Sequence, residues 1–162
     1  MSKRIITLGL ILLLIIVIMI LVVWLLQPGT TVITEKEFEG VIFTKERAAD
    51  VLRYIVVNEV TEEAYWTPSK DEVFALEQQL NINIARKDLE FKGQLSDFKR
   101  QYFGFIRDGN QLVLIVGFCE PVGVEWHREL VTLPDMAVGC YFEAQYDPAN
   151  DKILYLWQNS EQ

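Results

Sequence analysis

Two cysteines, one histidine and a few paired carboxylates carry what chemistry this sequence could do. Cys119 and Cys140 would pair in an oxidising compartment. Geometry leaves two outcomes. If residues 126–133 form a strand between the two that bear the cysteines, the thiols sit at opposite ends of a sheet. They are then well beyond the Cα separation of about 7 Å that a bridge allows. If residues 120–138 are an excursion instead, the flanking strands form a hairpin and the thiols face each other. A disulfide and a pair of buried thiols therefore both stay open. No neighbouring base marks either as a reactive thiol.

His127 is the single histidine, and an expected strand would align it with Glu125 and Glu129 through the two-residue period. Three such groups on one face resemble a cation site. The plainer reading is a solvated polar face opposite Trp126 and Leu130. Asp147, Asn150 and Asp151 bring carboxylates together, but they lack the alternating ligands and distal Glu of a calcium loop. Asp-Pro followed by Asn-Asp is ordinary turn chemistry. Glu62-Glu63 and Asp71-Glu72 fall near expected helix ends, where solvation or the helix dipole accounts for them. No Ser–His–Asp set and no glycine-rich phosphate loop is recognisable. Accordingly no catalytic residue and no cofactor is expected.

The elements around these residues are easier to read. From Ile5 to Leu26 run 22 residues without a charge, Thr7 being the one polar side chain. As a helix that run covers roughly 33 Å, enough for a bilayer core of about 30 Å. It is longer than the apolar region of a signal peptide, and no small-x-small cleavage site follows. Lys3 and Arg4 precede it and Gln27-Pro28-Gly29 follows, so the tip 1–4 is expected in the cytoplasm and the rest outside. The expected organisation is therefore a single-pass anchor over 5–26, a tether over 27–37, and a periplasmic or extracellular domain over 38–162. The whole chain carries a net charge of −8, and beyond residue 26, with Lys3 and Arg4 removed, the balance is −10. Nucleic acid needs a basic footprint and is excluded as a partner. The lipid bilayer, through 5–26, and an envelope protein are the partners expected.

Within the domain, Val41-Ile42-Phe43 reads as a short strand, and Thr44 as the cap of a helix reaching about Glu59. A second helix starts at Thr67-Pro68 or at a Ser69–Glu72 capping box, with Val73, Leu76 and Leu80 along one face. It fades near Asn81–Ile84, and Gly93 marks a break. Strands follow at 102–107 and 111–119 around Asp108-Gly109-Asn110, then at about 126–133, 139–146 and 152–158. The sum is an α+β domain in which two helices precede a four- or five-stranded antiparallel meander. The 111–119 strand is apolar on both faces: Leu112, Leu114, Val116 and Phe118 point one way, Val113, Ile115 and Cys119 the other. Such a strand is central and covered on both sides. One face meets helix; the other must form a pocket, pack on the first helix, or meet a partner.

Arg100-Gln101-Tyr102-Phe103-Gly104-Phe105 with its Asp108-Gly109 turn, Cys119, Trp126, Gly139-Cys140-Tyr141-Phe142 and Tyr146-Asp147…Leu156…Asn159 together resemble a set of exported, membrane-anchored bacterial proteins. The resemblance covers about residues 98–160. Ser160 stands where those proteins close on Asn-Gly, and Pro134–Val138 replaces a tighter glycine turn. It implies a cystatin-like helix-plus-meander fold and no activity. Tyr102, Phe103, Phe105, Tyr141, Tyr155 and Trp157 all fall on expected strands, either as core or as a sheet-borne interaction surface. Three functions follow as expectations: a non-enzymatic domain for a protein or peptide partner, a structural accessory subunit whose transmembrane helix itself makes the contacts, or a small-molecule or weakly catalytic pocket between helices and sheet. In the last, Glu125, His127 or Tyr102 would point into a cavity.

Overall fold

A computed structural model describes residues 12–19, 29–35, 38–52, 64–87, 89, 91, 93–119, 125–132 and 138–159. Of the expected span, residues 12–19 are described; they are helical and exposed throughout. No helix among the described residues is long and apolar enough to cross a membrane. The tip 1–4 and the rest of the apolar run lie outside the described residues.

The domain is α+β, built on one mixed seven-stranded sheet. Its strands are β1 (Thr30–Thr34), β2 (Glu39–Phe43), β3 (Tyr65–Trp66), β4 (Lys99–Arg107), β5 (Asn110–Phe118), β6 (Tyr141–Asp147) and β7 (Lys152–Gln158). Helix α1 spans Lys45–Leu52 and α2 spans Lys70–Lys87, with a short 3-10 turn at Leu95–Asp97. The spatial order is β1-β2-β4-β5-β6-β7. β4 to β7 are the expected antiparallel meander, four strands long. The sheet then extends beyond it: β2 pairs with β4 in parallel, and β3 takes the same edge of β4 further along.

Three expectations are corrected. Residues 27–37, read as a tether, contain β1, which pairs with β2 from Thr30↔Phe43 to Thr34↔Glu39. The second helix does not fade at Asn81–Ile84 but runs to Lys87, where Asn83 Nδ2 bonds the Gln79 carbonyl one turn back at 2.8 Å. Of the strand expected at 126–133, the described residues 126–132 are not a strand. Residues 126–128 form a turn, in which the amides of Arg128 and Glu129 both donate to the Glu125 carbonyl. Trp126 and Leu130, which suggested strand alternation, are four apart, a spacing that one helical turn satisfies equally well.

Local signals explain the ends of the elements. Asp108 (φ 52°) and Gly109 (φ 76°) both take the left-handed region, as a two-residue hairpin turn of matching twist requires. Ser69 and Glu72 form the reciprocal capping box of α2. Thr67 is thereby free to act elsewhere, and its Oγ1 accepts the Lys45 amide at 2.9 Å, at the start of α1. Thr44 caps that same helix.

The two helices cover opposite faces of the sheet. On the first face, Val73, Leu76 and Leu80 of α2 pack on Tyr102, Ile115, Phe142 and Leu156. On the second, Ala48, Ala49 and Leu52 of α1 pack with Phe43, Phe103, Phe105 and Val116. The second face of β5 is buried in the same cluster as α1, with Trp126 and Val131 also packed there. Close packing needs bare positions, two of them in the β4–β5 hairpin. Trp66 lies over Gly104, and its Nε1 donates to the Phe105 and Leu112 carbonyls. The Phe142 ring lies across its cross-strand partner Gly117, in the space a Cβ would fill. Gly117→Ala should therefore lower unfolding stability by about 1–3 kcal/mol, the usual cost of overpacking. Urea titration checks this, with a surface Gly109→Asn change as the mild control.

Candidate functional site

The sequence candidates divide between the two faces. Tyr102, Phe103, Phe105 and Tyr141 are buried in the core. Tyr102 belongs to the first face and the other three to the second. As an interaction surface these four are corrected: they are packing residues, because β4 and the start of β6 lie inside a sheet covered on both sides. Tyr155 and Trp157 differ. They remain 43% and 38% exposed.

Beneath α2 lies a polar group that periodicity did not reveal. Arg100, 1% exposed, sets its Nε 3.0 Å from Glu77 Oε1, an ionic contact without hydrogen-bond alignment. Its Nη1 and Nη2 donate to the carbonyls of Phe98 and Leu95. Tyr102 donates its hydroxyl to the same Glu77 oxygen at 2.7 Å. Burial, then the Glu77 charge, hold the Tyr102 phenol well above its ordinary range. Apart from Arg100 Nε, which has only its ionic contact, this network is satisfied under a helix, with packed aromatic rings beside it.

On the second face Gln101, fully buried, does for a turn what Arg100 does for a helix. Its Nε2 donates to the Trp126 and Glu129 carbonyls and its Oε1 accepts the Val131 amide. Residues 125–131 are thus held on β4. Within that turn Glu125 and Glu129 are exposed, and Glu125 pairs with Arg128 at 3.3 Å. His127 stacks on Trp126, with ring centroids 3.8 Å apart. The strand that was to align Glu125, His127 and Glu129 is absent, and the described residues hold no cluster of three metal-binding side chains. Tyr102 is packed in the core of the opposite face, while Glu125 is exposed and His127 half-buried on the turn. A shallow cleft of about 330 Å³ lies beside the turn, lined by Arg47, Asp50, Val51, Arg128, Glu129, Leu130 and Thr132. Arg47 already donates across it to the Arg128 carbonyl.

Cys119 and Cys140 form a disulfide with Cα atoms 5.1 Å apart. The excursion arrangement is the one found: the Cys119 amide donates to the Cys140 carbonyl, extending the β5–β6 ladder. Asp147 and Asp151 serve their turn. Asp147 accepts from Ala149 and Asn150, while Asp151 accepts from Tyr146 and Gln79. Glu62-Glu63 lie outside the described residues.

What remains open to a ligand is the far end of the second face. α1 packs on β2, β3 and β4, and the 125–131 turn on β4. Among the described residues nothing covers β7, or β6 beyond Phe142, on that side. A β-bulge between Gln145 and Tyr146 shifts the register there, pairing Gln145 with Tyr155 and Tyr146 with Ile153. Ile153 and Leu156 both enter the first-face core, so two residues stand between them instead of one. Leu154 and Tyr155 are both exposed, and Trp157 continues the same strip. Bulges re-aim side chains in this way. At the centre of the strip sits Glu143, cross-strand from Trp157. Its Oε1 accepts the Tyr141 hydroxyl at 2.6 Å, and Tyr141 meets Trp157 edge-on at 6.4 Å. Burial and the Glu143 charge together raise the Tyr155 phenol.

Comparison with protein-family models, with curated proteins and with solved structures finds no match to this chain. The site must therefore speak through its own geometry.

The buried phenols and the disulfide each have a measurable consequence. Burial is the first cause raising the phenols of Tyr102, Tyr141, Tyr146 and Tyr155. A phenol raised in the folded state adds stability that is whole below its unfolded pKa of about 10 and is lost as pH rises beyond it. Alkaline titration followed by phenolate absorbance should show Tyr102, Tyr141 and Tyr146 ionising only with unfolding, and stability falling from about pH 10 upward. Replacing both Cys119 and Cys140 by serine should cost about 3 kcal/mol, measured by denaturant unfolding, because the bridge closes a loop of about 20 residues.

Proposed function

We propose that this chain is a single-pass membrane-anchored envelope protein whose exported domain binds a protein or peptide partner and performs no chemistry. The apolar run Ile5–Leu26 behind Lys3 and Arg4 supports the anchor and its orientation. The Cys119–Cys140 bridge supports an oxidising compartment for the domain. The likeness of residues 98–160 to exported, membrane-anchored bacterial proteins supports the same setting. On this reading α2 lying across β4–β7 is a cystatin-like core, to which β1, β2 and β3 have been added along one edge.

The observation that carries the binding function is the strip Leu154, Tyr155 and Trp157. The bulge turns Tyr155 and Trp157 outward, where simple alternation from Ile153 would have sent them inward, beside the already exposed Leu154. Contiguous exposed apolar surface on an otherwise covered sheet marks a place of contact. The best-placed polar groups elsewhere are engaged in holding the fold: Arg100 and Glu77 under α2, and Gln101 under the turn.

A photo-crosslinking side chain placed at Tyr155 or Trp157 of the full-length protein in its native membrane should capture one reproducible partner. The same group at Ile82, exposed on α2, should not. Equal capture at all three positions, or none at Tyr155 and Trp157, would remove the binding reading.

A further inference from the structure

The strip has a charged centre, and that feature narrows the partner. Glu143 is half-buried between Tyr141, Tyr155 and Trp157, with Val116 beside it on β5. Among the described residues no Lys or Arg pairs with Glu143, and Tyr141 is its one hydrogen-bond donor. A solvated surface carboxylate would explain an exposed Glu alone. It does not explain three aromatic rings gathered around it, two of them exposed to water. Aromatic faces and a carboxylate converging on one point are the elements that recognise an organic cation: ring quadrupoles attract it and the carboxylate pairs with it. We propose that Glu143, held by the hydroxyl of buried Tyr141 and rimmed by exposed Tyr155 and Trp157, seats a lysine or arginine side chain presented by an extended segment of the partner. This rests on the binding reading above and specifies its chemistry.

The surroundings agree. The chain beyond residue 26 carries −10, which draws a basic segment toward it at long range. Leu154 and Tyr155 supply apolar contact on one side of the carboxylate. Arg107, at the far end of the strip, is held by Gln145 and lies over the Phe105 ring, so a bound cation meets it only at a distance. Docking uses the side-chain face more than the strand backbone, because Lys87 already donates to the Leu156 carbonyl at 3.2 Å. A lysine set against a terminal strand also discourages strand addition.

The test uses full-length protein in detergent micelles and fluorescein-labelled hexapeptides of alternating Thr with Lys, Gln or Glu. The Thr–Lys peptide should bind about tenfold more tightly than the Thr–Gln peptide and lose affinity as salt rises. Glu143→Gln, which keeps an acceptor for Tyr141, should weaken Thr–Lys binding about fivefold or more without changing the thermal midpoint. Trp157→Ala should weaken it similarly. Glu129→Gln, acidic and exposed on the 125–132 turn, should change nothing. No binding by any peptide, equal binding of the Lys and Gln peptides, or equal effects of Glu129→Gln and Glu143→Gln would overturn the proposal. The two readings separate cleanly in the membrane. If crosslinking from Tyr155 still captures its partner in the Glu143→Gln protein, the cation seat is wrong and the docking strip stands; if capture fails in the unaltered protein, both fall.

Discussion

Strands β4 and β5 bury apolar side chains on both faces at once, and the rest of the domain is arranged around that requirement. Apolar surface left in water costs about 25 cal/mol per Å², so a two-faced hairpin needs two covers. A single amphipathic helix supplies one. The chain therefore divides its helices, laying α2 across Tyr102 and Ile115 and α1 across β4 on the side of Phe103 and Phe105, where Val116 joins the same cluster. Passing from α1 on one face to α2 on the other requires the chain to go around the sheet edge. β3 is the two-residue pairing on β4 made at that crossing, immediately before the cap of α2.

Apolar contact alone does not fix where a cover sits, and adjacent residues of β4 solve this with opposite chemistry. Arg100 points to the first face, where its ion pair with Glu77 on α2 is closed by Tyr102 and two backbone carbonyls. Buried charge is tolerated only when its remaining groups are satisfied, and here nearly all are. Gln101 points to the second face, where a neutral amide suits a turn whose free groups are two carbonyls and one amide. An amide side chain has both donor and acceptor to offer; a guanidinium has none of the latter. The alternation of the strand thus places a charge beneath a helix and an amide beneath a loop, one residue apart.

What the sequence made legible was local. The β4–β5 turn followed from Asp108-Gly109, the start of α2 from Ser69 and Glu72, and β7 from its period. Non-local pairing was not legible. β2 lies parallel to β4 across more than fifty residues of chain, and no short-range signal encodes that. β1 was hidden because only Ile33 of its five residues is buried. The 125–132 segment was misread because Trp126 and Leu130 satisfy either period, and with it went the alignment of Glu125, His127 and Glu129. Of the aromatic surface, two members out of six remain in the open. Nothing in the composition of Tyr102 or Tyr141 distinguishes a core ring from an exposed one; only the covers above them do.

The bulge in β7 is where the strand departs from its local pattern. Strict alternation from Ile153 would have sent Tyr155 inward and Leu156 outward. The extra residue reverses this: Leu156 completes the core over α2, and Leu154 and Tyr155 both turn to water. A strand under selection for packing alone gains nothing by exposing them, since the register change also interrupts the ladder. The same shift leaves Trp157 opposite Glu143 and brings Tyr155 within reach of that carboxylate. Local irregularities that break a rule without benefit to the core tend to sit at sites of use. Here the irregularity, the aromatic rim and the carboxylate coincide on a part of the sheet that, among the described residues, α1 and the 125–131 turn do not reach.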